Sequence, residues 1–112
     1  MAHFGLICPA LTGHLNTMLP LGKELQLRGH LVTLIGKLDA ESKTIAAGLS
    51  FKSIGESEFP LGTEKAALAQ LGRLSDRDAL QYTVNLLKKS AEMLLRETPA
   101  AIKALGVEAL LV

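Results

Sequence analysis

Near neutral pH, the side chains of this 112-residue chain best suited to proton transfer or nucleophilic attack are three histidines and one cysteine. Cys8 and His14 bracket the stretch Cys8-Pro9-Ala10-Leu11-Thr12-Gly13-His14, which joins a short apolar run to an amphipathic one. In open α/β sheets ligands gather in the crevice beyond the carboxyl ends of the strands, and this stretch falls there. An imidazole at that place can exchange a proton with a ligand, because its unperturbed pKa lies near neutrality. Gly13 permits close backbone approach or a positive φ, and free N–H groups at a helix start can hold partial negative charge. Thr12, Gly13 and Asn16 are therefore candidates to line a cleft beside His14. Cys8 reads as a small buried hydrophobe, the usual state of a free cysteine. His3, opening the first strand, reads as incidental. His30 lies at a helix-to-strand turn opposite the crevice, where a cation complements a helix C-terminus.

The elements that must hold these residues follow from periodicity and punctuation. His3–Cys8 is a mostly apolar run, read as a strand buried on both faces. Leu15, Met18, Gly22 and Leu25 recur at helical spacing, and Gly29 is expected just past the helix end. Pro20 suits that helix only if its regular turns begin near Thr17. Gly22 is expected to let the helix pack closely on the sheet. Leu31–Ile35 reads as a second buried strand. Asp39 is placed to cap a short helix through Ala47, and Leu49–Ile54 reads as a third strand.

Residues 55–62 carry turn residues without a period and form a loop. Thr63–Leu71 is a modest helix. Ser75-Asp76-Arg77-Asp78 resembles a capping box ahead of a longer helix to about Glu97. Leu80, Val84, Leu87, Ala91 and Leu94 are expected to form its buried stripe, with Tyr82, Leu86 and Met93 widening it. Thr98-Pro99 restarts a short helix closed by Gly106, and Val107–Val112 is a fourth strand. This order predicts an α/β fold, a Rossmann-like parallel sheet with helices on both faces, in one domain spanning residues 1–112.

Composition narrows the function. Twelve basic and eleven acidic residues leave a formal charge of +1, which argues against nucleic acid or an anionic membrane as partner. Aromatic residues make up 4% of the chain, with no Trp, so an aromatic stacking platform is not expected. The single cysteine precludes an internal disulfide and fits a reducing, cytoplasmic setting, and no metal-ligand cluster is apparent. No apolar run approaches the roughly 20 residues a membrane-spanning helix needs. The stretch after the first strand has one glycine, so neither the dinucleotide fingerprint nor the P-loop is present. A sequence that stops on Leu110-Leu111-Val112 reads as the N-terminal piece of something longer, and its open strand edge is expected to favour self-association.

Gly13-His14-Leu15-Asn16-Thr17-Met18-Leu19-Pro20-Leu21-Gly22-Lys23-Glu24-Leu25, followed by Arg28-Gly29-His30-Leu31-Val32-Thr33, closely resembles the N-terminal signature of nucleotide-sugar-dependent glycosyltransferases. That family includes natural-product, antibiotic and carotenoid glucosyltransferases and the glucuronosyltransferases. The resemblance implies the N-terminal half of a GT-B fold, in which two Rossmann-like domains face across a cleft. It implies that this half binds the acceptor and that an absent C-terminal domain binds the nucleotide sugar, of the UDP-glucose kind. His14 matches the family's catalytic base. Thr12, Gly13, Asn16, Phe59, Tyr82 and Leu86 become the expected acceptor-binding residues. An aspartate that supports the histidine lies, in the family, just after the fourth strand, beyond Val112. The implied reaction is an inverting transfer to a hydroxyl of a small lipophilic acceptor, with no cofactor besides the nucleotide-sugar co-substrate, and the piece alone is expected to be inactive. Two other readings stand beside it: a binding subunit that docks on a separate donor-domain chain, and a domain of a sugar-nucleotide epimerase.

Overall fold

The computed structural model describes residues 1–112. Four strands, β1 (His3–Leu6), β2 (Leu31–Gly36), β3 (Ser50–Ser53) and β4 (Ala109–Leu111), form one sheet in the order β3-β2-β1-β4. Every pairing is parallel; Phe4 lies beside Val32 on one edge and Ala109 on the other. Parallel neighbours need crossover connections, and helices supply them. Helix α1 (Thr12–Leu27) joins β1 to β2, and a single 3-10 turn (Leu38–Ala40) with α2 (Glu41–Ala46) joins β2 to β3. The last crossover carries α3 (Thr63–Leu71) and the 30-residue α4 (Asp76–Leu105).

Successive strand residues point to opposite faces of a sheet, and the core divides accordingly. Val32 and Leu34 join Leu6, Leu15, Leu19 and Leu49 under α1. Ile35 joins Ile54, Phe59, Met93 and Ala101 under α4. The α/β architecture with helices on both faces is thus the one the element order implies.

Six local readings need correction. Helix α1 begins at Thr12 rather than near Thr17, which places Pro20 inside it. Proline removes the bond to the carbonyl four residues back, here that of Asn16. Both residues are exposed, so water can take up that carbonyl and the helix continues. Pro99 likewise lies within α4 instead of starting a new helix, and the carbonyl it frees belongs to Leu95, whose surface is 80% exposed. The capping box does not form. Ser75 does occupy the N-cap, but its hydroxyl makes no capping bond and Asp76 turns to a φ of +49°. The α4 stripe is rotated from expectation: Leu80 and Leu87 are 66% and 64% exposed, whereas Met93 is buried and Tyr82 and Leu86 are half-buried. The helix is about 45 Å long at 1.5 Å per residue, close to the molecule's 47 Å long axis, so its start runs past the sheet and leaves Leu80, Val84 and Leu87 exposed, while Leu86 and Leu94 reach the core.

Asp39 does not cap its own short helix. Its two carboxylate oxygens accept from Gly62 N (2.6 Å) and Glu64 N (2.7 Å) and thereby cap α3 from across the loop. Glu97 Oε1 accepts from Gly55 N at 3.0 Å, and Glu58 pairs with Arg96. The loop over residues 55–62 is therefore tied at both ends. Phe59, between the ties, is 1% exposed and packs in the core. His3 is not incidental. Its Nδ1 lies 2.9 Å from the Leu105 carbonyl and its Nε2 2.7 Å from Thr33 Oγ1. A carbonyl only accepts, so Nδ1 carries a proton and the ring ties the end of α4 to β2.

Gly22 sets how closely α1 approaches the sheet. A Cβ placed there would lie 2.7 Å from Leu6 Cδ1 and 2.8 Å from Leu49 Cδ1, both in buried side chains. The Gly22→Val protein is expected to lose about 1–3 kcal/mol through overpacking. Gly13→Ala in the same helix meets nothing within 4 Å and is expected to keep or gain stability. Thermal melts of the two variants check this, and equal melting temperatures would refute the close-approach account.

Candidate functional site

The crossover from β1 to β2 and the one from β3 to β4 run in opposite directions along the sheet, and a crevice opens between them beyond the carboxyl end of β1. The structure has a cleft of about 930 Å³ at this place. Ile7, Cys8 and Pro9 after β1, Gly36 and Lys37 at the end of β2, and Val112 after β4 form its sheet-side wall. Helix α1 contributes His14, Thr17 and Met18; α3 contributes Glu64, Ala67, Leu68 and Leu71; α4 contributes Tyr82, Leu86, Leu87 and Met93. Fifteen of the 23 lining residues are hydrophobic. The size and the apolar lining with few polar groups are those of a site for a small organic ligand.

Of the residues expected to act on or bind an acceptor, His14, Tyr82 and Leu86 line this cleft, together with Cys8 and Met93. His14 is exposed on its wall, one and a bit helical turns from Met18 on the same helix face. Thr12, Gly13 and Asn16 are not among the lining residues. The cause is the early start of α1: once these residues are helical, each step rotates the side chain by about 100°. Thr12 turns toward α2, where its hydroxyl accepts from Lys43 Nζ at 3.0 Å. Asn16 falls in a shallow groove with Leu19, Pro20 and Lys23 on the outer side. Gly13 is exposed with ordinary helical φ, contrary to the positive φ its type allows. Phe59 lies beneath the cleft, in the core, rather than on its wall.

His30 lies at the amino end of β2, far from the crevice by the sheet's direction. Its Nδ1 accepts from Ala2 N at 3.0 Å and its ring meets Phe4 edge-on at 5.1 Å, so packing rather than a helix dipole holds it. Cys8 is half-buried on the cleft wall, and burial pushes its thiol above the usual cysteine value, which lowers its reactivity.

Residue-by-residue reading of the sequence missed Lys37, Glu64 and Ser90. Lys37 Nζ donates to Ser90 Oγ at 2.9 Å, stands 4.0 Å above the centre of the Phe59 ring and lies 3.9 Å from Glu64 Oε2. The side chains of Lys37 and Glu64 are only 16% and 17% exposed. Burial lowers the Lys37 pKa; the charges of Glu64 and Asp39 oppose that, and Lys89 adds to it. The signal was present: Lys37 follows the second strand as Cys8 follows the first, at the carboxyl end where ligands gather.

Over all 112 residues the chain is 30% identical to the zeaxanthin glucosyltransferase of Pantoea ananas. It spans 26% of that protein's length. A scan against protein-family models finds no match. The similarity supports a glycosyltransferase-like character at a coarse level and agrees with the Rossmann-like sheet. No helix is long and apolar enough to cross a membrane.

Lys37 provides a test of the site's electrostatics. Its amine releases a proton at lower pH when folded than when unfolded. Between that lowered value and the ordinary lysine value of about 10.4, the unfolded chain binds more protons, so stability rises with pH. Urea unfolding across this range should show the rise, and Lys37→Met should flatten it. An NMR titration of the Lys37 side chain with a midpoint at the ordinary value would refute the shift.

Proposed function

We propose that this domain holds the acceptor in an inverting glycosyl transfer and that His14 is the general base. The observation carrying the reading is the position of an exposed imidazole on the wall of a large, mainly apolar cleft beyond the strand ends. The similarity to a glucosyltransferase supports it from a separate direction. In this reading a lipophilic alcohol lies along Tyr82, Leu86 and Met93 with its hydroxyl at His14. An imidazole nitrogen takes the hydroxyl proton as the oxygen bonds to the anomeric carbon. The bond from that carbon to the nucleotide diphosphate breaks, and the diphosphate leaves with the electron pair. Attack from the face opposite the leaving group inverts the centre. The nucleotide sugar, of the UDP-sugar kind, is held by a second domain of the whole protein. His14 then contributes the roughly 10²–10⁴-fold typical of a positioned base.

The test is His14→Ala in the full-length protein, assayed with a nucleotide sugar and a panel of lipophilic alcohols. Turnover is expected to fall by roughly two to four orders of magnitude. The circular dichroism spectrum should stay unchanged, because the side chain is exposed. Unaltered turnover would exclude His14 as the base. Epimerised sugar nucleotide formed without an acceptor would move the assignment to an epimerase.

A further inference from the structure

The cleft holds one pair of opposite charges that do not complete each other. The Lys37 ammonium has three N–H donors, and its hydrogen bond within the protein is the one to Ser90. The second neighbour is the Phe59 ring face, which is a cation–π contact and not a hydrogen bond. Glu64 Oε2 faces the ammonium at 3.9 Å, too far for a direct hydrogen bond. Both side chains are more than four-fifths buried and both line the cleft. The one buried side-chain polar atom without a partner is Thr98 Oγ1, so the pair is open to the cleft rather than orphaned, and a ligand that completes both groups there gains more than one that completes neither.

The chemistry that fits both at once is narrow. A group between them must accept from the ammonium and donate to the carboxylate, which is what a hydroxyl does. An ether or ketone only accepts, and a carboxylate would face Glu64 with like charge. Lys37, Lys89, Glu64 and Asp39 are the charges that act on this spot, two of each sign, so there is no excess charge to draw an anion. Around the pair the surface is apolar, from Met93, Leu86 and Ala67.

We infer that Lys37 and Glu64 together form a hydroxyl-reading subsite, and that the ligand of the cleft is an apolar molecule carrying a hydroxyl there. This rests on the proposed acceptor cleft, where it adds a second hydroxyl, separate from the one at His14, to the acceptor's description. Selection follows from the same arithmetic: a hydrogen bond to a charged group, lost or left unmade, changes affinity by about tenfold to a hundredfold.

The experiment is calorimetric titration of the full-length protein with a rigid steroid diol, its mono-O-methyl ethers at either oxygen, and the corresponding mono-alcohols. The wild type is expected to bind the diol at least about tenfold more tightly than one of the two ethers, because that ether cannot donate. Glu64→Gln is expected to bind the diol and that ether alike, because its amide can also donate to an ether oxygen. Lys37→Met keeps the carboxylate to which the hydroxyl donates, so it is expected to keep the discrimination but to bind both compounds about tenfold more weakly. Each variant is checked by thermal melting, and either alone tests the pair if the other fails to fold. Undiminished discrimination in folded Glu64→Gln or undiminished diol affinity in folded Lys37→Met overturns the subsite, as does a wild type that binds none of these compounds or binds all of them equally. Failure of the acceptor reading looks different: the Glu64-dependent discrimination and the Lys37-dependent affinity persist, but no bound alcohol is glycosylated and His14→Ala changes nothing. Transfer that depends on His14 without discrimination at the pair removes the subsite alone.

Discussion

Strand β1 is hydrogen-bonded on both edges, by β2 on one side and β4 on the other, and the placement of everything functional follows from this. Parallel strands must be joined by crossovers that return the chain to the same end of the sheet. One crossover leads from β1 toward β2; the other arrives at β4 from the far edge. The connections therefore part at the carboxyl end of β1, and a gap between them is unavoidable. Two other constraints shape the gap. Gly22 lets α1 settle directly on Leu6 and Leu49, which brings the helix's first turn, with His14, to the rim. The length of α4 carries its start beyond the sheet, so the opposite wall is a helix that meets the core only from about Leu86 onward.

That overhang explains why the cleft is apolar. Leu87 stays 64% exposed because no strand lies beneath it, while Leu86, at the edge of the core, is half-buried and lines the cleft with it. The loop between β3 and α3 is held by polar ties rather than by regular structure. Asp39 caps α3, Glu97 takes the Gly55 N–H, and Phe59 is pressed into the core beneath Lys37. These contacts place Glu64 opposite Lys37. A segment with no periodicity thus becomes a fixed part of the site, because the free N–H groups of a turn and of a helix start take carboxylate partners from across the loop.

Much of the architecture was legible, for reasons that can be located in particular residues. The runs read as His3–Cys8, Leu31–Ile35 and Leu49–Ile54 are separated by helix-period stretches, and that alternation admits few folds besides a parallel sheet. Gly29, Gly48 and Gly106 mark helix ends with positive φ, as their sequence positions imply. Proline misled twice, at Pro20 and Pro99, because sequence does not say whether the freed carbonyl faces water. The buried face of α4 was misread because the helix has two apolar stripes, and only its overhang decides which is covered. Asp39 was assigned to the nearest helix, while its real partners are 23 and 25 residues away.

At the site the division is sharper. Local order along the chain determined that His14 stands just past the first strand, at the start of a helix, on the carboxyl-end side of the sheet where ligands gather. It could not determine which neighbours share that crevice. Thr12, Gly13 and Asn16 are adjacent to His14 in sequence but are turned away by the helical rotation, whereas Lys37, Glu64 and Ser90, remote in sequence, are brought together on three different elements. Proximity along a chain is set by covalent bonds, but proximity across a cleft is set by how helices pack on a sheet, and only the tertiary structure decides that.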